Sequence, residues 1–167
     1  MSKHLGWILL ASLPLGACDP GAQDPSLWFE TRTLGDGDFA NVSGTAEKDF
    51  VNDSFGAGVA LRDFNGDGHL DIFAIGGGDA QGKANGDALF FGDGKGGFER
   101  APKELSLEPT PGGRAYGVNA RDFDGDGDVD LYITRRGPNR LLCNRGDGTF
   151  EDQSEVSGLG DPAWSTG

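Results

Sequence analysis

The sequence is poor in the residues on which many enzymes and nucleic-acid-binding proteins depend. Its 167 residues include 2 histidines, 2 cysteines and 1 methionine, and 14 Lys and Arg stand against 27 Asp and Glu. The formal net charge of −13 repels a phosphate backbone or an anionic lipid surface. Nucleic acid is therefore excluded as a partner, and a cation is favoured.

The shortage of histidine also limits catalysis. Once the N-terminal segment described below is removed, His69 is the remaining histidine, and it lies among aspartates. A Ser-His-Asp triad, a Cys-His pair or a multi-histidine zinc site cannot be assembled from it. Paired carboxylates could still support a hydrolase, but no single pair stands out. We predict that the chain is not an enzyme in itself.

Long apolar runs are missing except at the start of the chain. Lys3 is followed by an apolar stretch over residues 5–15, which is too short to span a bilayer and predicts a signal peptide over residues 1–17. The four residues 15–18, Leu-Gly-Ala-Cys, resemble the lipobox of bacterial lipoproteins. The resemblance implies lipidation of Cys18 and an extracytoplasmic place in a bacterial cell envelope, with membrane contact through the lipid alone. The alternative is an ordinary cleaved signal and a secreted protein.

The mature chain begins with a tether and continues as repeats. Residues 18–27 are polar and contain proline, as expected of a linker. Within residues 28–167, GVALRDFNGDGHLDIFAI at 58–75 is echoed by GVNARDFDGDGDVDLYIT at 117–134. LFFGDGKGGFE at 89–99 is likewise echoed by LLCNRGDGTFE at 141–151. Each unit has the pattern strand, acidic loop, strand, connection, strand, glycine-rich turn, strand.

This pattern predicts an all-β fold built of β-propeller-type blades, each with about four antiparallel strands. Two blades are complete. Phe29-Glu30 indicates part of an earlier blade, and residues 151–167 indicate that the chain ends within a further repeat. Because a ring normally needs about four to eight blades, we expect an incomplete ring.

The candidate metal-ligating residues lie in two acidic loops, DFNGDGHLD at 63–71 and DFDGDGDVD at 122–130. Hard oxygen ligands occupy alternate positions of each loop, so a tightly turning backbone can aim them at one point. We expect the seventh position to offer its backbone carbonyl, and the glycines to adopt positive φ. The candidate metal ligands are Asp63, Asn65, Asp67, His69 and Asp71 in the first loop, and Asp122, Asp124, Asp126, Asp128 and Asp130 in the second.

An all-oxygen ligand set rich in carboxylates favours calcium, with about two ions in all, one for each loop. Magnesium fits less well, because it requires a strict octahedron and retains water. Solvated Asp-Gly turns without a metal are the remaining alternative, although the clustered carboxylates would then repel one another. An EF-hand is excluded, because Ala74 and Ile133 occupy the positions where its bidentate glutamate would stand.

These units resemble the FG-GAP/VCBS repeats of integrin α-subunit propellers, and more closely those of bacterial secreted proteins that often end in an ASPIC/UnbV domain. The resemblance covers roughly residues 28–167, although no ASPIC/UnbV segment is recognisable. It implies a β-propeller whose blades bind calcium through the first inter-strand loop, which places the ligands at the ten positions named above.

The predicted function is an extracytoplasmic calcium-binding module for adhesion, with another protein or an extracellular glycan as its partner. The alternative is a fragment of a propeller-type polysaccharide hydrolase or lyase with structural calcium. Two smaller motifs have plainer interpretations. We expect Cys143, which aligns with Phe91, to be a small buried residue, and Arg145-Gly146-Asp147 to be ordinary hairpin-turn chemistry.

Overall fold

A computed structural model describes residues 58–78, 86–102 and 114–160, three short strands before them, and Ala163 and Ser165. The described residues contain twelve β-strands and no helix. No helix in these residues is therefore long and apolar enough to cross a membrane. The all-β prediction is confirmed.

Two four-stranded antiparallel sheets form the centre of the structure. The first sheet has the order β4-β5-β7-β8, and the second sheet has the order β9-β10-β11-β12. Their strands are β4 (Val59–Arg62), β5 (Asp71–Ala74), β7 (Ala88–Gly92), β8 (Phe98–Arg100), β9 (Ala115–Arg121), β10 (Asp130–Arg135), β11 (Arg140–Asn144) and β12 (Phe150–Asp152). Each sheet is a meander of four strands, which confirms the predicted propeller-type blades.

Four shorter strands form two small sheets. β1 (Ile8–Leu10) pairs antiparallel with β2 (Glu30–Arg32), and β3 (Val42–Ser43) pairs parallel with β6 (Gly77–Gly78). β1 lies within the predicted signal peptide, whose removal stays a prediction. Cys18 and the tether at 18–27 lie outside the described residues, as does most of the predicted start of a further repeat after Gly160.

The two acidic loops occupy the same place in their sheets. Residues 63–70 join β4 to β5 with Arg62 opposite Asp71, and residues 122–129 join β9 to β10 with Arg121 opposite Asp130. Strands flank both loops, as the β-branched and aromatic residues on either side predict. An EF-hand, which has helices there, is excluded on this ground as well.

The two sheets share one hydrophobic core. Its buried members from the first sheet and its loops are Ala60, Phe64, Phe73, Ile75, Leu89 and Ala101, and those from the second are Ala115, Leu131, Ile133 and Leu142. The Phe64 ring meets the Phe150 ring edge-on, with centroids 6.0 Å apart. Burying a large apolar side chain contributes about 1.5–3 kcal/mol, so this shared core holds the two sheets together.

Candidate metal centre

The first aspartate of each loop folds the backbone around its own carboxylate. In the first loop Asp63 Oδ1 accepts the Gly66 N–H at 2.8 Å, and Asp63 Oδ2 accepts the Gly68 N–H at 2.8 Å. Both glycines have positive φ, 73° and 85°, as the sequence predicts, because only glycine enters this region without strain. In the second loop Asp122 binds the same two N–H groups, those of Gly125 and Gly127, at 2.6 and 3.1 Å.

The last aspartate of each loop is fully buried and bridges two parts of its sheet. Asp71 accepts the Phe64 N–H at 2.8 Å on one oxygen and the Gly92 N–H at 2.9 Å on the other. Asp130 makes the equivalent bonds, to Phe123 N at 2.7 Å and Asn144 N at 2.8 Å. Each carboxylate thus ties its loop to the end of the third strand of its sheet. We call Asp71 and Asp130 the clamp aspartates.

Burial raises the pKa of Asp71 above the ordinary aspartate value, and the two backbone N–H bonds oppose this rise. A buried carboxylate that accepts two N–H bonds has part of its hydrogen-bonding capacity already used. The clamp aspartates therefore have a structural task in the described fold, apart from the metal ligation that the sequence predicts for them.

The middle of the first loop is held by short-range bonds. Asp67 Oδ1 accepts the His69 N–H at 2.8 Å, and this bond is the main reason that the pKa of Asp67 is lowered. The Asn65 amide donates to Asp67 Oδ2 at 3.1 Å. Asn65 and Asp67 therefore lie side by side, as the alternating pattern predicts, with Asp67 exposed and Asn65 half-buried.

The side chain at the seventh position reaches the glycine-rich turn of its own sheet in both units, and His69 Nδ1 also lies 3.4 Å from Asp67 Oδ1 of its loop. A Cβ added at Gly94 would lie 2.5 Å from the His69 ring, and one at Gly146 would lie 2.6 Å from an Asp128 carboxylate oxygen. His69 and Asp128 thus pack over the glycine-rich turn of their own sheet. Ligation through the backbone carbonyl of the seventh position stays a prediction.

Loss of hydration raises the pKa of the Asp128 carboxyl, with further contributions from the carboxylates of Asp126, Asp122, Asp130 and Asp124, in that order. Like charges in one loop disfavour another ionised group. The second loop therefore carries an electrostatic cost that a bound cation would relieve.

The second loop brings three carboxylates together. Ligand oxygens of Asp122, Asp124 and Asp126 lie within 4.8 Å of one another. An oxygen of Asp130 lies within the same distance of Asp124 and of the Cys143 sulfur. Among the described residues, no such group of three acidic, histidine or cysteine ligands forms in the first loop, which has the amide of Asn65 where the second loop has Asp124.

This donor set fits calcium. Calcium accepts six to eight oxygens from carboxylates, amides and carbonyls, and it tolerates irregular geometry. In the second loop the carboxylates at the third and fifth positions are exposed and that at the first is half-buried, which leaves room for further oxygens from the backbone and from water. The cysteine is a soft donor, which calcium does not select, so we do not count it among the ligands.

Cys143 is half-buried rather than buried, so the expectation of a small core residue is wrong. It lies at the rim of the second loop, because that face of the second sheet is partly open. Burial, followed by the charges of Asp130 and Asp124, raises the pKa of the Cys143 thiol to about 11. A thiol with such a pKa is almost wholly protonated at neutral pH and is a poor nucleophile.

Asn144 is a site residue that the sequence did not reveal. Its amide donates to the Phe64 carbonyl of the first loop at 2.8 Å and to the Val129 carbonyl of the second loop at 3.1 Å. Its Oδ1 accepts the Gly146 N–H at 3.1 Å. Asn144 therefore connects the two loops through one buried side chain. The signal was a departure from the repeat, because the matching residue of the first unit is Gly92.

The turn at 145–149 lies against the first loop. A Cβ at Gly66 would lie 3.4 Å from the Gly146 carbonyl oxygen, and one at Gly148 would lie 2.8 Å from the Phe91 ring. Within this turn Arg145 pairs with Glu151 at 3.0 Å, and Asp147 accepts the Thr149 N–H at 2.9 Å. The Arg-Gly-Asp tripeptide is thus part of a hairpin turn, as expected from the repeat.

All ten predicted ligand positions lie in the described residues, and the fold gathers each set of five in one loop. Cys18 lies outside them. Calcium itself and the lipid anchor stay predictions.

The sequence profile of the FG-GAP-like repeat family matches residues 63–133 and, a second time, residues 122–167. Each match begins at the first aspartate of an acidic loop, and together they cover more than half of the chain. No curated protein matches the chain at a significant level. The match, the two blades and the paired acidic loops agree, and the chain belongs to the FG-GAP-like repeat family.

Proposed function

We propose that this propeller-type repeat module binds calcium, with one ion in each acidic loop. The observation that carries the proposal is the approach of the Asp122, Asp124 and Asp126 oxygens to within 4.8 Å. Three ionised carboxylates at this separation repel one another, and a divalent cation reverses the sign of that interaction. The first loop has the same backbone turn and fewer charges, so it is the weaker of the two proposed sites.

Calcium would supply a positive charge at the loop centre. The chain supplies the shape of the loops, their attachment to the sheets and the protein ligands. Asp63 and Asp122 shape the loops, and the clamp aspartates attach them to the sheets. The side-chain oxygens of Asn65, Asp67, Asp124 and Asp126, together with the carbonyls of His69 and Asp128, complete the protein's part of the ligand sets.

We expect each bound calcium ion to stabilise the fold by a modest amount. Extracellular calcium modules bind with dissociation constants of about 10⁻⁴–10⁻³ M. At ~1 mM calcium and a dissociation constant of ~0.1 mM, each site would stabilise the fold by roughly 1.4 kcal/mol. Two such sites matter to a small domain, whose stability is about 5–15 kcal/mol.

We also propose that the module works outside the cytoplasm, attached to a bacterial envelope through Cys18, and that it binds a protein or a glycan without catalysis. The raised pKa of Cys143 and the place of His69 in a metal loop support the absence of catalysis.

Calorimetry of the full chain with calcium tests the metal sites. We expect two ions in the wild type, and loss of one ion in each of the variants Asp67→Ala and Asp126→Ala. The matched control is Glu155→Ala, since Glu155 is an exposed acid outside both loops, and it should keep both ions. No calcium uptake by folded wild-type protein, or a melting temperature that a chelator leaves unchanged, would contradict the proposal.

Labelling with radioactive palmitate in a bacterial host tests the anchor separately. Wild-type protein should incorporate the label, and the Cys18→Ser variant should not. Unlabelled wild type would rule out the anchor and leave the calcium proposal standing.

A further inference from the structure

One asparagine of the first loop lies next to a backbone nitrogen with which its side chain can react. Asn65 is half-buried, and it is followed by Gly66, which is exposed and has a φ of 73°. The amide carbon of an asparagine and the backbone nitrogen of the next residue can close a ring, and such intramolecular reactions are fast when the two groups are held close together. Glycine has no Cβ to shield this nitrogen. The pair is therefore open both to reaction and to water.

The Gly66 nitrogen has a proton acceptor in place. Its N–H donates to Asp63 Oδ1 at 2.8 Å. A weak nucleophile is activated by a base to which it is hydrogen-bonded, because the base takes the proton as the new bond forms. Asp63 can take the proton of Gly66 in this way.

The Asn65 amide is polarised by the same loop. Its Oδ1 accepts the Asp67 N–H at 3.1 Å, and its Nδ2 donates to Asp67 Oδ2 at 3.1 Å. The first bond stabilises the negative charge that develops on Oδ1 when the amide carbon is attacked, as the donors of an oxyanion hole do. Asp67 is exposed, so water can reach the amide nitrogen and protonate it as it leaves.

We propose that Asn65 is a site of spontaneous deamidation in the folded protein. A bond forms between the Gly66 nitrogen and Asn65 Cγ, and the bond between Cγ and Nδ2 breaks. The proton of Gly66 passes through Asp63 and water to the departing nitrogen, which leaves as ammonia, and a cyclic imide remains. Water then opens the imide, and a proton returns to the Gly66 nitrogen. Opening at Cγ leaves an aspartate at position 65, and opening at the backbone carbonyl leaves an isoaspartate linkage.

Deamidation to aspartate gives the first loop the charge pattern of the second. The second loop has Asp124 at the third position, where the first has Asn65. The product has carboxylates at the first, third and fifth positions of both loops. The isoaspartate product instead adds a methylene to the backbone inside the turn that Asp63 holds. This inference goes beyond the proposed function, and it does not depend on calcium.

Asn144 is an internal control for the reaction. Its Oδ1 accepts the Gly146 N–H, two residues further on, at 3.1 Å, which is the same turn that Asn65 makes. The next residue, however, is Arg145, which has a Cβ, and the Asn144 side chain is buried. The Arg145 N–H donates to the Thr149 carbonyl at 3.0 Å, which is a weaker base than a carboxylate. The two asparagines thus share a turn and differ in the nucleophile that follows them.

The test is peptide mapping of the full chain by mass spectrometry. Folded protein is incubated at neutral pH with chelator and is then digested with trypsin. The digest places each asparagine in a peptide of its own, with Asn65 in 63–83, Asn119 in 115–121 and Asn144 in 141–145. Conversion of an amide to an acid raises the mass of its peptide. The variant Asn65→Asp supplies the standard for the aspartate product, and labelling by an isoaspartyl methyltransferase detects the other product.

We expect Asn65 to lose its amide at least about tenfold faster than Asn119 and Asn144, since a small difference in activation free energy changes a rate by this factor. Circular dichroism verifies that the chain stays folded during the incubation. Equal rates for the three asparagines would overturn the proposal. Loss of the Asn65 amide in urea but not in the folded chain would also overturn it, because the loop would then protect the asparagine.

Discussion

The first and second units have the same loop motif in unequal surroundings. Phe64 and Phe123 follow the first aspartate of their loops, and each donates its N–H to a clamp aspartate. Phe64 is nevertheless buried under the second unit, whereas Phe123 is 42% exposed to solvent. A repeat thus determines its own strands and loop, while the burial of its aromatic residue depends on the neighbour that follows.

The two loops also differ in charge. The second loop has an aspartate at all five alternate positions, and the first has asparagine at 65 and histidine at 69. Accordingly, three carboxylates approach one another in the second loop alone among the described residues, and the pKa of Asp128 is raised. The first loop has contacts from Asn144 and the turn at 145–149 in addition to its own hydrogen bonds, and we expect the second loop to rely more on a cation.

The largest expected difference between the units is in the stability lost when Phe64 or Phe123 is replaced by alanine. Phe64→Ala should lower the free energy of unfolding by about 3–5 kcal/mol, because it empties a fully buried site. Phe123→Ala should cost less than about 1.5 kcal/mol, because its ring is already partly hydrated. Urea denaturation of both variants measures the difference. Equal losses would show that the second unit is covered in solution by something else.

Substitution of either clamp aspartate should lower the free energy of unfolding by a smaller amount, which should be equal for the two. Asp71→Asn and Asp130→Asn each replace one accepting oxygen with an NH₂ group and leave one backbone N–H without an acceptor. Each substitution should cost about 1–3 kcal/mol in chelator-containing buffer, where metal binding makes no contribution. If only one of the two were destabilising in urea denaturation, the clamps would not be equivalent.

Removal of the Asn144 side chain should weaken the connection between the units by about 1 kcal/mol. Asn144→Ala deprives two carbonyls of a donor, which costs less than an orphaned N–H, and it also deprives the partly buried Gly146 N–H of its side-chain acceptor. The matched control is Asn119→Ala, since Asn119 is exposed on strand β9 of the same sheet and should tolerate the change. Equal melting temperatures for the two variants would remove Asn144 from the interface.

The smallest expected effect is a difference in pH dependence between the loops without calcium. Because the pKa of Asp128 is raised in the folded state, the protonated form of this carboxyl stabilises the fold. The stabilisation is complete below the ordinary aspartate pKa and is lost as the pH rises through the raised pKa. The lowered pKa of Asp67 gives stability that is present above the ordinary pKa and is lost as the pH falls. Asp128→Asn should therefore raise the free energy of unfolding most near neutral pH. Asp67→Asn should lower it most in the same pH range. Denaturation of both variants at acidic and neutral pH, each with chelator, measures how the effect of each substitution on the free energy of unfolding changes with pH. Changes of the same sign for the two variants would contradict the opposite pKa shifts of Asp128 and Asp67.

Much of the local structure was predictable. The β-branched and aromatic runs beside each loop are strands because such side chains pack well on a pleated surface. Gly66, Gly68, Gly125 and Gly127 have positive φ, as a tight acidic turn requires. These features depend on residues close in the chain, so the sequence was sufficient to predict them.

The contacts between units were not predictable. The sequence treated Asp71 and Asp130 only as metal ligands, whereas the fold buries them and uses both oxygens of each to bind the sheet. Cys143 was expected in the core, yet it lies at a rim, because packing on that face depends on which unit follows.

The sequence by itself determined the repeat, the strands and the collection of oxygen ligands in each loop, because all of these follow from spacing along a short stretch of chain. The tertiary structure alone decided that Asn144 joins the two loops and that one phenylalanine is buried while its counterpart is exposed. The Asn144 amide and the Phe64 carbonyl belong to residues far apart in the chain. They meet only when the two sheets pack, and the free energy of that packing comes from the shared core rather than from either motif.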